Sequence, residues 1–170
     1  MNIVNDIKKY FDSVIMLTWS NWETEPRGNR YHYATRFAQI LPVYFVQHPP
    51  SHLSPFINLK KVQKNINVIN IQLPFDKYQI DQIKEILTAN GFISPLIWVY
   101  DHINYDDFLK SYRNTFKVYH ATENYISKTN CWDRKHLLSS LQERINTFDL
   151  IFTCVSSLKK EYETNLLISK

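Results

Sequence analysis

The sequence has little glycine and little cysteine, and both shortages exclude classes of protein. Only Gly28 and Gly91 are glycine among 170 residues, so the GxGxxG fingerprint of dinucleotide-binding domains is missing. The two cysteines, Cys131 and Cys154, form no CxxC pair and have no histidine pair at ligand spacing. This spacing disfavours a disulfide framework and a zinc site. We interpret both as ordinary residues and expect a cytoplasmic protein.

Long apolar runs and concentrated charge are also missing. No apolar run approaches the roughly 20 residues of a membrane helix, and the run beginning at Val14 is too short for a signal peptide and lacks a cleavage site. The net charge is +4, the pI is about 9.0 and the lysines are scattered. A nucleic-acid-binding protein concentrates its basic residues on one face, so we expect no nucleic-acid partner. A mildly basic surface is compatible with peripheral contact at the inner face of an anionic membrane.

The sequence does contain short apolar runs that alternate with helical periodicity. Strands are predicted over 13–18, 43–47, 67–73, 95–100, 116–121 and 149–155, and helices over 29–41, 79–90, 104–112 and 134–147 and from near Leu158. The segment 48–65 contains three prolines and is predicted to be a long loop. Gly91 is the expected end of the second helix.

This alternation predicts a fold class. Strands joined by helices form right-handed βαβ units, so we expect one Rossmann-like α/β domain with a mostly parallel sheet and helices on both faces. Ligands of such sheets bind at the carboxyl ends of the strands. The functional residues should therefore follow Thr18, Tyr100, Ala121 and Val155.

Four segments, taken in chain order, resemble retaining GT-B glycosyltransferases. Residues 14–38 give a strand, a loop with Trp, Pro-Arg and one glycine, and a helix with a histidine. Residues 96–101 (LIWVYD) end a strand with an aromatic residue and an acid, and residues 117–125 (KVYHATENY) resemble the YH-x-[TV]-[DE]-x-Y segment. Residues 143–158 give an acid-bearing helix, Asp, a strand, Ser and Leu. The variant with Trp and Pro-Arg before the helix looks like the group that builds bacterial surface polysaccharides and teichuronic-acid-like polymers.

The resemblance implies a function and a domain organisation. The enzymes transfer a hexose from a nucleotide sugar to a glycan or lipid-linked acceptor, without a metal or other cofactor. Their second domain carries the donor site and its carboxylate motif, and no candidate for that motif occurs within residues 1–170. We therefore expect 1–170 to be the N-terminal, acceptor-side half of a GT-B fold, inactive when isolated. The family often has two glycines in the first loop, whereas this sequence has only Gly28.

The resemblance also implies roles for individual residues. His120 and Glu123 follow the fifth strand and are the catalytic candidates, since a histidine can position or accept a proton near neutral pH. Gly28 precedes a helix whose free N–H groups are suited to the donor diphosphate. The structural alternatives are a half-buried histidine at position 120 and a turn that requires positive φ at Gly28.

Five further residues are candidates for binding the acceptor. They supply guanidinium groups, an aromatic face and polar side chains near the expected ligand edge, and they are Arg27, Arg30, His32, Trp22 and Asp101. The structural alternatives are a solvated helix start for the cations and core packing for the tryptophan.

Two other functions compete with glycosyl transfer. One is a different nucleotide-binding enzyme such as a dehydrogenase, against which the missing GxGxxG counts. The other is a non-catalytic α/β interaction module.

Overall fold

The computed structural model describes the backbone of residues 3–24, 27–48, 57–122 and 134–165, and the side chains of 7–24, 27–48, 57–122 and 139–164. In these ranges seven strands form one sheet: β1 (Ser13–Leu17), β2 (Val43–Gln47), β3 (Asn58–Gln63), β4 (Ile66–Asn70), β5 (Pro95–Val99), β6 (Lys117–Ala121) and β7 (Leu150–Thr153). The helices are α1 (Ile3–Tyr10), α2 (Asn29–Phe37), α3 (Lys77–Ala89), α4 (Asp106–Ser111), α5 (Arg134–Arg144) and α6 (Ser156–Asn165), and a 3₁₀ turn (Ile145–Thr147) follows α5. No helix in the described ranges is long and apolar enough to cross a membrane.

The strand order places β1 at the centre of the sheet. The order is β3-β4-β2-β1-β5-β6-β7, and every neighbouring pair is parallel except β3 with β4. From β1 the chain therefore builds the sheet first towards β2 and then, beginning at β5, on the other side. Such a reversal leaves a crevice at the carboxyl ends of the two central strands.

Helices cover both faces of the sheet, so the central strands are buried on both sides. Alternate residues of β1 point to opposite faces, so that Val14 and Met16 join one core and Ile15 and Leu17 the other. The first core is covered by α1 and α2 through Ile7 and Ala34. The second core is covered by residues of α3, α4, α5 and α6. The expected Rossmann-like α/β class, with a mostly parallel sheet, is confirmed.

The boundaries of α3 follow from its sequence. The Asp76 carboxylate accepts the amide hydrogen of Gln79 at 3.0 Å, which caps the amino end. At the other end Gly91 has φ of +76°, and the Phe92 amide donates to the Leu87 carbonyl at 3.0 Å. A left-handed residue in this position favours glycine because it has no Cβ. The prediction that Gly91 ends this helix is confirmed.

Most predicted elements are present, and the differences have physical causes. All six predicted strands occur, with ends that move by up to three residues, and the helix predicted over 29–41 ends at Phe37. The prediction that 48–65 is a loop is wrong for 58–63, which form the exposed edge strand β3. Its polar sequence NLKKVQ lacks apolar alternation, and lysines on an edge strand discourage pairing with other molecules. Helix α1 was not predicted, and the apolar run at 166–169 lies outside the described residues.

We predict that core packing at the central strands dominates stability. Ile97 on β5 is fully buried, whereas Ile93 in the preceding loop is 88% exposed. Ile97→Ala should lower the free energy of unfolding by about 2–5 kcal/mol, since it leaves a cavity in the second core, between the sheet and its covering helices. Ile93→Ala makes the same chemical change at the surface and should cost no more than about 0.5 kcal/mol. Urea denaturation of both variants measures the difference, and equal losses would contradict the described core.

Candidate functional site

The candidate site lies where β1 and β5 end, at the reversal of the strand order. The Tyr100 and Asp101 amides both donate to the Leu17 carbonyl, at 2.9 and 3.2 Å, so the loops after β1 and β5 begin side by side. The buried Tyr105 hydroxyl donates to the Thr18 carbonyl at 2.9 Å and fastens the two loops together. The position of the crevice is thus fixed by backbone hydrogen bonds.

Arg30 lies across this crevice. Its guanidinium carbon is 4.4 Å from the centre of the Trp19 ring and 5.5 Å from that of Tyr100. These two aromatic residues follow β1 and β5 directly, so the cation bridges the loops on either side of the switch point. Cation–π contacts of this kind hold a guanidinium in place. Its N–H groups then keep a fixed direction, because they lie in the plane of the guanidinium. Arg30 also belongs to the first turn of α2, whose leading N–H groups have no partner within the helix.

His120 lies beside this group and is almost completely buried, with 1% of its surface exposed. The Trp98 indole N–H donates to His120 Nδ1 at 3.1 Å, and His120 Nε2 is 3.5 Å from the Cys154 sulfur. An indole nitrogen can only donate, so Nδ1 carries no proton, and the neutral ring must carry its proton on Nε2, facing the sulfur. Burial, reinforced by the charge of Arg30, lowers the pKa of His120 to about 4.

Aromatic rings enclose this imidazole on the face of the sheet covered by α2. The ring centres of Tyr100, Tyr33 and Phe152 lie 4.7, 4.8 and 4.9 Å from that of His120. The described contacts therefore hold His120 in one orientation and one tautomer. This geometry suits a residue that positions its neighbours, since neither ring nitrogen is open to a proton transfer at neutral pH.

A second group of candidates surrounds Tyr31 on α2. The Arg27 guanidinium lies 5.1 Å from the centre of the Tyr31 ring, and Trp22 packs against the same ring at 4.9 Å. His32 meets Tyr31 edge-on at 5.8 Å and is exposed. Trp22 is also tied to the sheet, because its amide donates to Gln47 Oε1 at 2.6 Å. Two groups therefore lie where the loop after β1 meets α2, one around Arg30 and one around Tyr31.

Gly28 does not have the backbone conformation that usually selects glycine. It is the residue before α2, with φ of −85° and ψ of −159°, and its carbonyl accepts the His32 amide at 3.1 Å. The alternative of a turn that requires positive φ at this position is therefore wrong. The expected role beside a phosphate remains a prediction, and it is compatible with the place of Gly28 at the amino end of the helix.

Asp101 is occupied by its own loop. Its Oδ1 accepts the amides of Ile103 and Asn104, both at 3.0 Å, and its Oδ2 accepts the Asn104 side chain at 2.7 Å. The His48 imidazole lies 3.6 Å from Oδ2. Burial by itself raises the pKa of Asp101, but the nearby His48 imidazole and the hydrogen bonds from Asn104 and Ile103 outweigh it and lower the pKa overall. The carboxylate thus shapes the turn after β5, and contact with an acceptor remains a prediction.

Glu123, the second catalytic candidate, lies outside the described residues, as does Cys131. Within the described part of the chain, no cluster of three or more His, Cys, Asp and Glu side chains is placed to hold a metal ion. The site therefore offers a fixed guanidinium, aromatic faces and the amino end of α2. These groups are suited to binding an anionic or sugar ligand.

Three contributors to this site were missed in the sequence. Trp98 belongs to a predicted strand and Tyr33 to a predicted helix, and the sequence predicts no functional role for either. Cys154 is predicted to be an ordinary residue. The exposed thiol of Cys154, at the end of β7, accepts a hydrogen bond from the side-chain amide of Asn29 at 3.5 Å. Period-two alternation was an available signal for Trp98, since Trp98 and Tyr100 project from β5 to the same face.

Comparison with known proteins gives a likeness in fold. The sequence matches no family model and no curated protein. Solved structures that resemble the chain include alpha,alpha-trehalose 6-phosphate synthase from Burkholderia multivorans, with a TM-score of 0.59 and 11% identity, and an alpha,alpha-trehalose-phosphate synthase (UDP-forming) from Burkholderia vietnamiensis, with 0.55 and 10%. A third is trehalose-6-phosphate from E. coli bound with UDP-2-fluoro glucose, with 0.53 and 10%.

The extent of the likeness bears on the domain organisation. The three structures cover 93%, 93% and 92% of this chain, but only 43%, 44% and 42% of their own chains. The chain thus spans less than half the length of these synthases. At this level of identity the likeness concerns the fold alone, and the domain organisation expected from the sequence remains a prediction.

We predict that stability falls below about pH 6.5 because of two buried histidines. Burial lowers the pKa of both His120 and His102 to about 4, whereas an unfolded histidine has a pKa of about 6.5. Between these values the unfolded chain binds more protons, so the folded state loses stability as the pH falls, on the order of 1–3 kcal/mol per histidine at pH 4.

The measurement is urea denaturation of the wild type, His120→Gln and His102→Gln from pH 7.5 to pH 4. Each variant should show a shallower loss of stability with falling pH, whatever its stability at neutral pH. A wild-type slope retained in both variants would contradict the assignment of buried neutral imidazoles.

Proposed function

We propose that this chain is the acceptor-side domain of a glycosyltransferase, which moves a sugar from a nucleotide-sugar donor to a glycan or lipid-linked acceptor in surface polysaccharide biosynthesis. The observation that carries the proposal is Arg30, held between Trp19 and Tyr100 at the reversal of the strand order. Ligands of open α/β sheets bind at this position.

The residues at this edge match the chemistry of such a ligand. A guanidinium presents a planar set of donors to phosphate or carboxylate oxygens, and α2 directs its first N–H groups to the same edge. Trp19 and Trp22 supply aromatic faces that pack against the apolar faces of sugar rings. Arg27, Arg30 and His32 provide a positive edge for an anionic acceptor or for the donor diphosphate beside Gly28.

The fold comparisons support the same reaction class. A UDP-forming synthase and a complex with UDP-2-fluoro glucose are among the structures that share the fold. Their greater length supports a second, donor-binding domain as the partner of this one in a two-domain hexosyltransferase. In that arrangement the described domain forms one wall of the cleft, and closure of the second domain completes the site.

His120 is proposed to contribute to transfer as a positioning residue. Its imidazole lies against the Tyr100 ring, and Tyr100 in turn contacts the Arg30 guanidinium. Trp98 holds His120 in one orientation. His120 in turn holds the Tyr100 ring, which contacts the Arg30 guanidinium. Glu123, in the segment that follows, is proposed to bind hydroxyl groups of the sugar.

The first test measures ligand binding at Arg30. Titration of the isotope-labelled chain with UDP-glucose, GDP-mannose and dTDP-glucose should move the backbone NMR signals of Trp19, Arg30 and Tyr100, with affinities in the millimolar range because one wall of the cleft binds weakly. Arg30→Ala should weaken this binding by about tenfold or more, the effect of a lost charged hydrogen bond, and Arg30→Lys by less. Arg113→Ala removes an exposed guanidinium elsewhere and should have no effect.

Three results would contradict the proposal. These are signal changes confined to another surface, equal affinities for Arg30→Ala and wild type, and transfer of sugar by the isolated chain at micromolar donor. The last result would assign the activity to one domain and overturn the two-domain organisation.

The second test concerns His120 in the two-domain enzyme. His120→Ala should lower the rate of transfer by about 100-fold, because a small displacement of the groups that position a ligand is enough for such a loss, and Glu123→Gln should cost less. Trp98→Phe keeps the bulk of an aromatic ring but removes the N–H that holds the tautomer of His120. It should therefore change the pH profile of kcat, which a purely structural role would not move. Near-normal turnover of His120→Ala, with a thermal melt showing a folded protein, would refute the assignment.

A further inference from the structure

The edge of the sheet opposite the candidate site carries exposed apolar side chains. The amino ends of β1, β5 and β6 meet there. Ile93, Tyr10 and Phe116 are 88%, 64% and 42% exposed, and they border a common groove that Phe11 and Pro95 also line. We refer to these five residues as the amino-end patch. Isolated apolar residues on a surface are ordinary, whereas a contiguous group that includes an almost fully exposed isoleucine marks a surface that binds something.

The segments that form the amino-end patch carry three basic side chains. The segments 8–11, 91–95 and 112–116 contain Lys8, Lys9 and Arg113, all exposed, and no acidic residue. The Lys9 ammonium lies 5.6 Å from the centre of the Tyr10 ring.

The adjoining acids are bound to the protein itself. The Asp12 carboxylate accepts the Ser13 hydroxyl at 2.9 Å, and also the amides of Ile93 and Ser94. Asp149, at the start of β7, accepts the Lys117 amide at 2.8 Å. The patch therefore presents an apolar surface whose margin carries three cations against two internally hydrogen-bonded acids, which leaves a net positive charge.

The charge of this margin decides between the occupants that an apolar patch can have. Two copies of the chain meeting through the amino-end patch would each contribute a margin of net positive charge, and like charges repel. An anionic bilayer attracts each of them and accepts the apolar side chains as well. We propose that the amino-end patch binds the surface of a bilayer that contains anionic phospholipid.

The side chains of the amino-end patch and its margin match the depth in the bilayer at which each would lie. Ile93, at the tip of the loop between α3 and β5, would enter the acyl boundary, and the amphipathic Tyr10 would lie among the headgroups. Lys8 and Lys9 have long apolar stems that keep their ammonium groups at the phosphate level. The five-residue strands separate this edge from the candidate site by roughly 17 Å. Bilayer contact through the patch therefore leaves the carboxyl-end crevice open to solution and does not depend on the proposed function.

The test is co-sedimentation of the 170-residue chain with sucrose-loaded vesicles of phosphatidylcholine alone and of phosphatidylcholine with phosphatidylserine at 7:3. The chain should bind the anionic vesicles and lose binding as the salt concentration rises. Ile93→Ser and Tyr10→Ser should each weaken the partition coefficient by about tenfold. Lys8→Glu with Lys9→Glu should weaken it by about 25-fold or more, since each basic residue near the surface contributes roughly fivefold.

Matched variants at the opposite edge provide the controls. Tyr78→Ser removes an aromatic ring that is 56% exposed at the start of α3. Lys159→Glu with Lys160→Glu reverses two exposed charges on α6. Both should bind vesicles like the wild type, and circular dichroism should show all variants folded.

Several outcomes would overturn the proposal. They are no binding to anionic vesicles, equal binding to neutral and anionic vesicles, and equal losses in the patch and control variants. A concentration-dependent dimer that Ile93→Ser dissociates would assign the patch to a second copy. Binding to an acidic protein but not to vesicles would assign it to a protein partner.

Discussion

The pairing of β1 with β2 on one side and β5 on the other is the constraint on which the rest of the structure depends. Parallel strands on both sides require β1 to be buried on both faces, and the sequence SVIML meets that requirement. In the same arrangement the sheet extends from β1 in two directions, first through β2 and later through β5. The loops after β1 and β5 then diverge, and the crevice between them is a consequence of topology before any side chain is considered.

Side chains with aromatic rings convert this crevice into an ordered site. Trp19 and Tyr100 hold the Arg30 guanidinium from two loops, and Tyr100 also packs on His120. Each contact is weak, but together they leave His120 with one tautomer and a lowered pKa. The role proposed for a histidine so enclosed is to hold its neighbours in place through its shape and its hydrogen bonds. That is a different use of the residue from the proton transfer that its position after a strand first suggests.

The two edges of the sheet have different chemistry, and the two proposed binding surfaces lie on opposite edges. At the carboxyl ends the rings around His120 pack against one another and beside α2, and the Arg30 cation lies next to them. At the amino ends the rings and Ile93 are exposed, and the nearest acids are held by backbone amides. A ligand between domains needs the first kind of surface, because its groups must be positioned. A fluid interface needs the second, because it tolerates any orientation of the side chains that enter it.

The sequence by itself determined the fold class, the strands and the edge of the sheet where Arg30 and His120 lie, because period-two and period-3.6 patterns and the end of each strand are local properties. It did not determine β3, whose lysines hide an edge strand, nor that Asp101 is occupied by its own turn. Only the tertiary structure decided that Trp98 faces His120 Nδ1, that Cys154 faces Nε2 and that Arg30 rests on two rings. These contacts join residues 22, 34, 11 and 70 positions apart in the sequence. Strand order and register bring such residues together, and no local pattern encodes either.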